Sequence, residues 1–220
     1  MMAATSRPRS VRRAMAGVAL LAVALLARSD AATPAHIVAP HLPPGTDCGA
    51  EVLLHVKLDA SGAPEGILGI LDVSPFAEAL RVAVRQWRLP APPDRDSARD
   101  VLVAGMFRAA CLLDLEGLRP PPSAALAPAV LPFPVHWERP PYPPHALGDG
   151  VVVVEVRVGE DGLARTATAV WSAPGFDDAA VEAARRWRFR PAVRDDRPVP
   201  AVAYLVFGFR APVVVPNPQG

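Results

Sequence analysis

Two stretches of the chain, 100 residues apart, alternate between apolar and polar positions in the same way. Their apolar positions are Val52, Leu54, Val56 and Leu58 in the first stretch and Val152, Val154, Val156 and Val158 in the second. Alternation with a period of two is typical of a β-strand with one buried face. Gly62 or Gly162 follows in a short polar turn, and a further strand-like run comes next. The pattern predicts two β-hairpins, with second strands near residues 65–72 and 164–171.

Apolar residues at helical spacing follow each hairpin. The two sets are Phe76, Leu80, Val84 and Trp87, and Phe176, Ala180, Ala184 and Trp187. Separations of four, four and three positions place each set on one helix face, so both tryptophans are expected in the core rather than at a ligand site. Ser74 predicts a helix N-cap and Pro75 the first helical position. Pro90 and Pro191 predict the helix ends.

A third apolar strand ends each half of the repeat, where residues 103–109 align with residues 205–211 at an offset of 102. The helix carries the chain back, so this strand runs parallel to the second strand and cannot lie beside it in an antiparallel sheet. The order two–one–three, with the helix on one face, satisfies this condition. The expected fold class is α+β, with two tandem ββαβ domains that each have a three-stranded antiparallel sheet. Strands two and three would be the sheet edges.

The N-terminus and the prolines set the expected domain boundaries. Residues 1–31 contain a basic stretch, then 14 uncharged residues and then small residues, which is the layout of a secretory signal peptide. An uncleaved signal anchor is the alternative. Further expected boundaries are a degenerate domain at 32–117, a stiff Pro-rich linker at 118–139, a second domain at 140–211 and a tail at 212–220.

Charge and motif content exclude several classes of function. Without the five arginines and one aspartate of residues 1–31, 18 basic and 21 acidic residues remain, so the positive field that nucleic-acid binding needs is lacking. The five histidines have no metal-ligand spacing, and neither a nucleophile–base set nor a phosphate-binding glycine loop is recognisable. We therefore expect no enzyme, no metal, no cofactor and no nucleic-acid partner.

The two cysteines, Cys48 and Cys111, stand before the first strand and after the third strand of the first half. If those strands are antiparallel neighbours, the two ends meet, and export would favour a disulfide. Two separate buried thiols are the alternative.

Several motifs of the second half stand at characteristic spacings. They are Tyr142-Pro143, the turn glycine Gly162, the run from Arg186 to Ala192 that contains Trp187 and Pro191, and Phe207 with Phe209. This combination resembles the TonB C-terminal domain over roughly residues 139–211. The first half resembles a degenerate member, because Leu42-Pro43 replaces the tyrosine–proline pair and the proline after Trp87 is shifted.

The resemblance implies a periplasmic protein–protein interaction module. Family members bind outer-membrane transporters, which offer a short extended segment to a sheet edge. The expected partner is therefore a TonB-dependent transporter or another envelope protein, and the membrane is involved only if the N-terminal segment is uncleaved. A shortened, membrane-anchored energy transducer is the alternative. The uncharged segment 14–27 lacks the histidine of transducer helices, which favours the module.

The expected docking site is the third strand of the second half, because unprotected edges pair with extended segments. The expected partner-binding residues are Tyr142, Pro143, Ala201, Val202, Ala203, Tyr204, Leu205, Val206 and Phe207. The second strand is a weaker candidate, since Arg165, Thr166 and Thr168 make it more polar. The expected structural residues are Gly62, Trp87, Gly162, Phe176, Trp187 and Pro191.

Overall fold

The computed structural model describes residues 35–44, 49–90, 99–107 and 122–211. The strands are β1 (Ala50–Leu58), β2 (Pro64–Leu71), β3 (Arg99–Phe107), β4 (Phe133–His136), β5 (Gly150–Val158), β6 (Ala164–Trp171), β7 (Arg188–Arg190), β8 (Ala192–Arg194), β9 (Arg197–Val199) and β10 (Ala201–Phe209). The helices are α1 (Phe76–Val84) and α2 (Asp177–Arg186), with a short 3-10 helix at Ala124–Leu126. The predicted signal segment, the two cysteines and the tail from residue 212 lie outside the described residues.

Six strands form one sheet in the order β2-β1-β3-β10-β5-β6. Within each half the hairpin and the order two–one–three agree with the prediction. In the first half β3 runs antiparallel to β1, with Ala50 opposite Phe107. In the second half β10 runs antiparallel to β5, with Gly150 opposite Phe209. The end of the third strand therefore keeps the predicted offset of 102.

The prediction that the third strand of the second half is a sheet edge is wrong. Residues 203–208 of β10 pair in parallel with residues 102–107 of β3, while the other side of β10 pairs with β5. Without this pairing, β3 and β10 would each expose a row of backbone N–H and C=O groups. The two strands instead hydrogen-bond these groups to each other. The two halves are therefore joined in one sheet within one compact unit, not separated as independent three-stranded domains.

The two helices cover opposite faces of this sheet. The even-numbered apolar residues of β1, such as Val52 and Leu54, pack in one core cluster with α1. Leu53 and Leu102 point the other way and share the second core cluster with α2 and with the even-numbered valines of β5. Strands β3 and β10 are parallel, and the two helices lie on opposite faces of the sheet. The two halves are therefore related by an approximate twofold axis that runs along the strands.

The predicted linker, residues 118–139, is not a free spacer over its described part. It contains the 3-10 helix and β4, which pairs with β7. Leu131, Phe133 and Trp137 are buried, and Phe133 and Trp137 belong to the core cluster that contains α2. Apolar side chains between the prolines thus hold this segment on the α2 face of the sheet, since burial removes their surface from water.

Helix α1 begins one residue later than predicted. Pro75 is the N-cap residue, without a side-chain capping hydrogen bond, and Phe76 is the first helical residue. Ala77 and Ala79 donate their backbone N–H groups to the Val73 and Pro75 carbonyls at 2.9 and 3.1 Å, and Ser74 lies outside the helix.

The hairpin glycines hold close backbone approaches. Gly62 and Gly162 have φ of +83° and +76°, in the left-handed region. A Cβ at Gly162 would lie 1.9 Å from the Phe189 carbonyl oxygen, and one at Gly62 would lie 1.9 Å from that of Leu89. The Gly62 carbonyl accepts a 2.9 Å hydrogen bond from the Leu89 N–H, and the Gly162 carbonyl accepts one of the same length from the Phe189 N–H.

We expect Gly162→Ala to destabilise the protein by about 2–5 kcal/mol, which combines the left-handed backbone cost with overpacking against Phe189. Gly148→Ala is the matched control, because Gly148 has φ of +72° but no atom within 4 Å of its Cβ position. It should lose only about 1–2 kcal/mol. Urea unfolding of both variants measures the difference, and equal losses would mean that the contact with Phe189 relaxes freely.

Candidate interaction surface

The predicted docking residues of β10 lie inside the sheet. Their backbone from residue 203 onward is paired on both sides, and the side chains from Ala203 to Phe207 are buried. Ala201 and Val202 are half-buried and line a surface groove. That groove, of about 530 Å³, is also lined by Arg157, Glu160 and Arg165. Most of β10 is therefore unavailable to a partner in this structure.

Tyr142 and Pro143 stabilise the loop before β5. The Tyr142 hydroxyl donates to the Gly148 carbonyl at 2.8 Å, with the Ala146 carbonyl at 3.3 Å. The Tyr142 ring lies edge-on to Phe176, with centroids 5.6 Å apart. The Pro143 carbonyl accepts from the Ala146 N–H at 3.2 Å. Both residues are half-buried, and their contacts within the described chain are structural.

The residues predicted to be structural lie in the core or at its turns. Trp87, Trp187 and Phe176 are only 0%, 1% and 2% exposed. Trp187 donates from Nε1 to the Glu138 carbonyl at 3.0 Å. Pro191 is half-buried beyond β7, with Cδ 3.6 Å from the position that a Gly162 Cβ would take.

The outer sides of β2 and β6 are the two edges of the six-stranded sheet in the described part of the chain. An edge strand presents N–H and C=O groups that have no partner in the sheet. Of the two, β6 lies in the segment whose motifs resemble the TonB C-terminal domain. Arg165, Thr166 and Thr168 are exposed along it, and Ala167 is buried.

A groove of about 700 Å³ runs along α2 beside Ala169 of β6. Ala169, Ala179 and Val181 supply small apolar lining, and acidic side chains with one arginine line the helix side. The charged lining residues are Asp177, Asp178, Glu182 and Arg185. Asp177 is held in place by the Ser172 hydroxyl and by the Ala173 N–H, which donates at 2.9 Å.

The corresponding place beside β2 in the first half is filled. Arg81 forms two hydrogen bonds to the Asp72 carboxylate, one of 3.0 Å from Nη1. This pair lies over Gly69, where a Cβ would be 2.6 Å from Asp72 Oδ2 and 2.7 Å from Arg81 Nη2. The Arg81 hydrogen bond lowers the pKa of Asp72, so the pair stays charged near neutrality.

Three polar contacts that the sequence patterns did not predict involve strand residues that face away from the helix of their own half. The Tyr204 hydroxyl donates to Glu155 at 2.9 Å, and burial, with the nearby Glu155 charge, raises the pKa of Tyr204. Arg139 donates to Glu51 at 3.0 Å. His55 Nε2 lies 2.5 Å from Asp100 Oδ1. Each pair joins residues far apart in the sequence, and the alternating pattern gives no signal for such pairing.

Neither a metal centre nor a spanning helix is found where the structure describes the chain. Among residues 35–44, 49–90, 99–107 and 122–211, no three His, Cys, Asp or Glu side chains are grouped as metal ligands. Within the same ranges, no helix has the length and apolar character needed to cross a bilayer.

Comparison with known proteins gives one family. A search of curated proteins finds no significant match to the chain. Residues 138–210 match the family model described as Gram-negative bacterial TonB protein C-terminal. The matched range contains β5, β6, α2 and β10, together with Tyr142, Gly162 and Trp187. This part of the chain is therefore similar to the C-terminal domain of TonB, which indicates a TonB-type role in interactions between envelope proteins.

Proposed function

We propose that the protein is a periplasmic interaction module that binds an extended segment of an outer-membrane transporter, or of another envelope protein, by β-strand addition at β6. The observation that carries this proposal is the unpaired edge of β6 within the segment that matches the TonB C-terminal family. The other side of the same half is occupied, because β10 pairs with β3. Strand addition at an exposed edge is a recurring mode of peptide recognition.

We also propose that the first half is a second, degenerate copy of the matched domain. Contacts 100 residues apart support this. The His36 backbone bridges to Arg88 as the His136 backbone pairs with Arg188. The Nε1 of Trp87 donates to the Val38 carbonyl at 2.7 Å, and Trp187 makes the same bond to Glu138. Strand β3 of this first copy pairs with β10. Strand addition to the matched half would therefore take place at its other edge, β6.

The alternative of a membrane-anchored transducer depends on the fate of residues 1–31. The uncharged stretch at 14–27 would have to be retained as an anchor. Mass spectrometry of the mature protein separates the two possibilities. A start near Ala32 fits the periplasmic module, and an intact N-terminus in the membrane fraction fits the transducer.

Site-specific photo-crosslinking in intact cells tests the docking edge. A photo-reactive residue at Thr168, which is exposed on β6, should crosslink to one segment of an outer-membrane or periplasmic protein. The same residue at Leu68, which is 65% exposed on β2, is the matched position on the other edge. Crosslinks from Leu68 with none from Thr168 would contradict docking at β6.

A further inference from the structure

The side chains of β6 determine which part of an added strand would enter the groove beside α2. Ala167 belongs to the core cluster that contains α2, and Ala169 packs against it. Thr166 and Thr168 alternate with them and therefore point to the opposite face. A segment paired with the outer side of β6 continues this alternation, so every second side chain of that segment points to the α2 side of the sheet, where the groove lies.

The groove has the chemistry to hold long basic side chains. Three carboxylates and one guanidinium line it, which gives a formal charge of −2. Glu182 already accepts from Arg186 at 3.0 Å and lies 3.7 Å from Arg185, whereas Asp178 is exposed in the first turn of α2. The methylene stem of a Lys or Arg can cover Ala169 and Val181 while its charged end reaches these carboxylates.

Comparison of the two halves shows that this groove is a feature of the second half. The positions 100 residues earlier are occupied by different residues: Val181 corresponds to Arg81, Ser172 to Asp72 and Ala169 to Gly69. The first half thus carries its own arginine on its own carboxylate above the edge strand. In the second half both members of this pair are replaced, and the carboxylates of the groove come from other positions on α2, namely Asp177, Asp178 and Glu182.

We propose that the groove between β6 and α2 accepts an extended partner segment that carries Lys or Arg at every second position. The proposal rests on strand addition at β6 and adds the chemical class of the segment. Basic side chains on one face of the segment lie along α2, and the side chains on its other face pass beside Thr166 and Thr168.

Binding of short peptides to the full chain tests this proposal. The probes are a capped nine-residue peptide that alternates Thr and Lys and a second that alternates Thr and Glu, compared by calorimetry at low salt. We expect the Lys peptide to bind about tenfold tighter or better, since it forms ion pairs with the groove carboxylates, whereas the Glu peptide is repelled by them. Equal affinity for the two peptides, or binding of neither, would overturn the proposal.

A charge-reversed variant locates the site. Asp178→Lys/Glu182→Lys changes two groove residues and should reverse the preference, so that the Glu peptide binds tighter. Glu65→Lys/Glu78→Lys makes the same change in charge beside β2 and α1 and should leave the preference of the parent intact. A Lys-peptide affinity that responds equally to both variants would reflect net charge alone and would contradict the assigned groove.

Backbone methylation separates this inference from the proposed function. Two versions of the Lys peptide carry N-methyl groups on alternate residues in opposite phase, and only one phase should abolish binding, because alternate N–H groups face β6. If one phase abolishes binding but Lys and Glu peptides bind equally, strand addition stands and the basic preference fails. If neither phase matters, strand addition fails, and with it the proposed register of basic side chains.

Discussion

Trp187→Ala is expected to destabilise the whole protein by about 3–5 kcal/mol, the usual cost of truncating a buried aromatic side chain to alanine. The indole is 1% exposed, and its ring lies near Trp137, Phe189 and Phe207 at centroid distances of 5.9 to 6.0 Å. The variant also leaves the Glu138 carbonyl without its hydrogen bond. Since a small domain has only about 5–15 kcal/mol of stability, this loss is large. Guanidinium unfolding of the full chain measures it.

Trp87→Ala and Trp171→Ala provide the comparison for this experiment. Trp87 is 0% exposed and makes the equivalent hydrogen bond in the first half, so its loss should be of similar size. Trp171 is 41% exposed at the end of β6 and should lose far less. An unchanged midpoint for Trp187→Ala would mean that the indole is not a core residue in solution.

Ala203→Pro and Tyr204→Pro are each expected to prevent folding, with a loss above about 3 kcal/mol. Consecutive N–H groups of a strand point to opposite sides, so one substitution breaks a bond to β5 and the other a bond to β3. Were β10 an edge strand, one of the two would be tolerated. Circular dichroism and urea unfolding of the purified variants distinguish these cases.

Two controls support the proline experiment. Tyr204→Ala removes the buried ring and its bond to Glu155 but keeps the backbone N–H, so Tyr204→Pro must cost more than Tyr204→Ala. In β6, which is an edge, only one of Thr166→Pro and Ala167→Pro should unfold the protein. A folded, parent-like Ala203→Pro or Tyr204→Pro variant would be incompatible with pairing on both sides of β10.

The hairpins, helices and strand order within each half were predictable because period-two and helical spacings report which face a residue buries. Pairing between the halves does not follow from these spacings, since alternation identifies faces but not neighbours. One signal did exist. Residues 101–107 and 203–209 are apolar or small at nearly every position, which is typical of strands covered on both faces rather than of edges.

The covered second face and the packed linker also leave signals in the sequence. Leu53 and Leu102 are apolar at positions where the alternation of their strands predicts polar residues, and both are 0% exposed. Phe133 and Trp137 stand among prolines that favour an extended spacer, yet their burial anchors the segment. The open groove beside α2 could not have been predicted from the second half alone. It becomes visible when Val181 is compared with Arg81, because the missing ion pair leaves the space open.

Amide hydrogen exchange of the full chain, resolved by NMR, tests the continuous six-stranded sheet most directly. The structure predicts slow exchange for every consecutive amide from Ala203 to Gly208, because β10 is bonded to β5 and to β3. In the central part of β6, residues 166–169, slow and fast amides should instead alternate, since one side has no partner strand. Alternating fast exchange along β10, with the fast amides on its β3 side, would contradict the joined sheet and would return β10 to the edge.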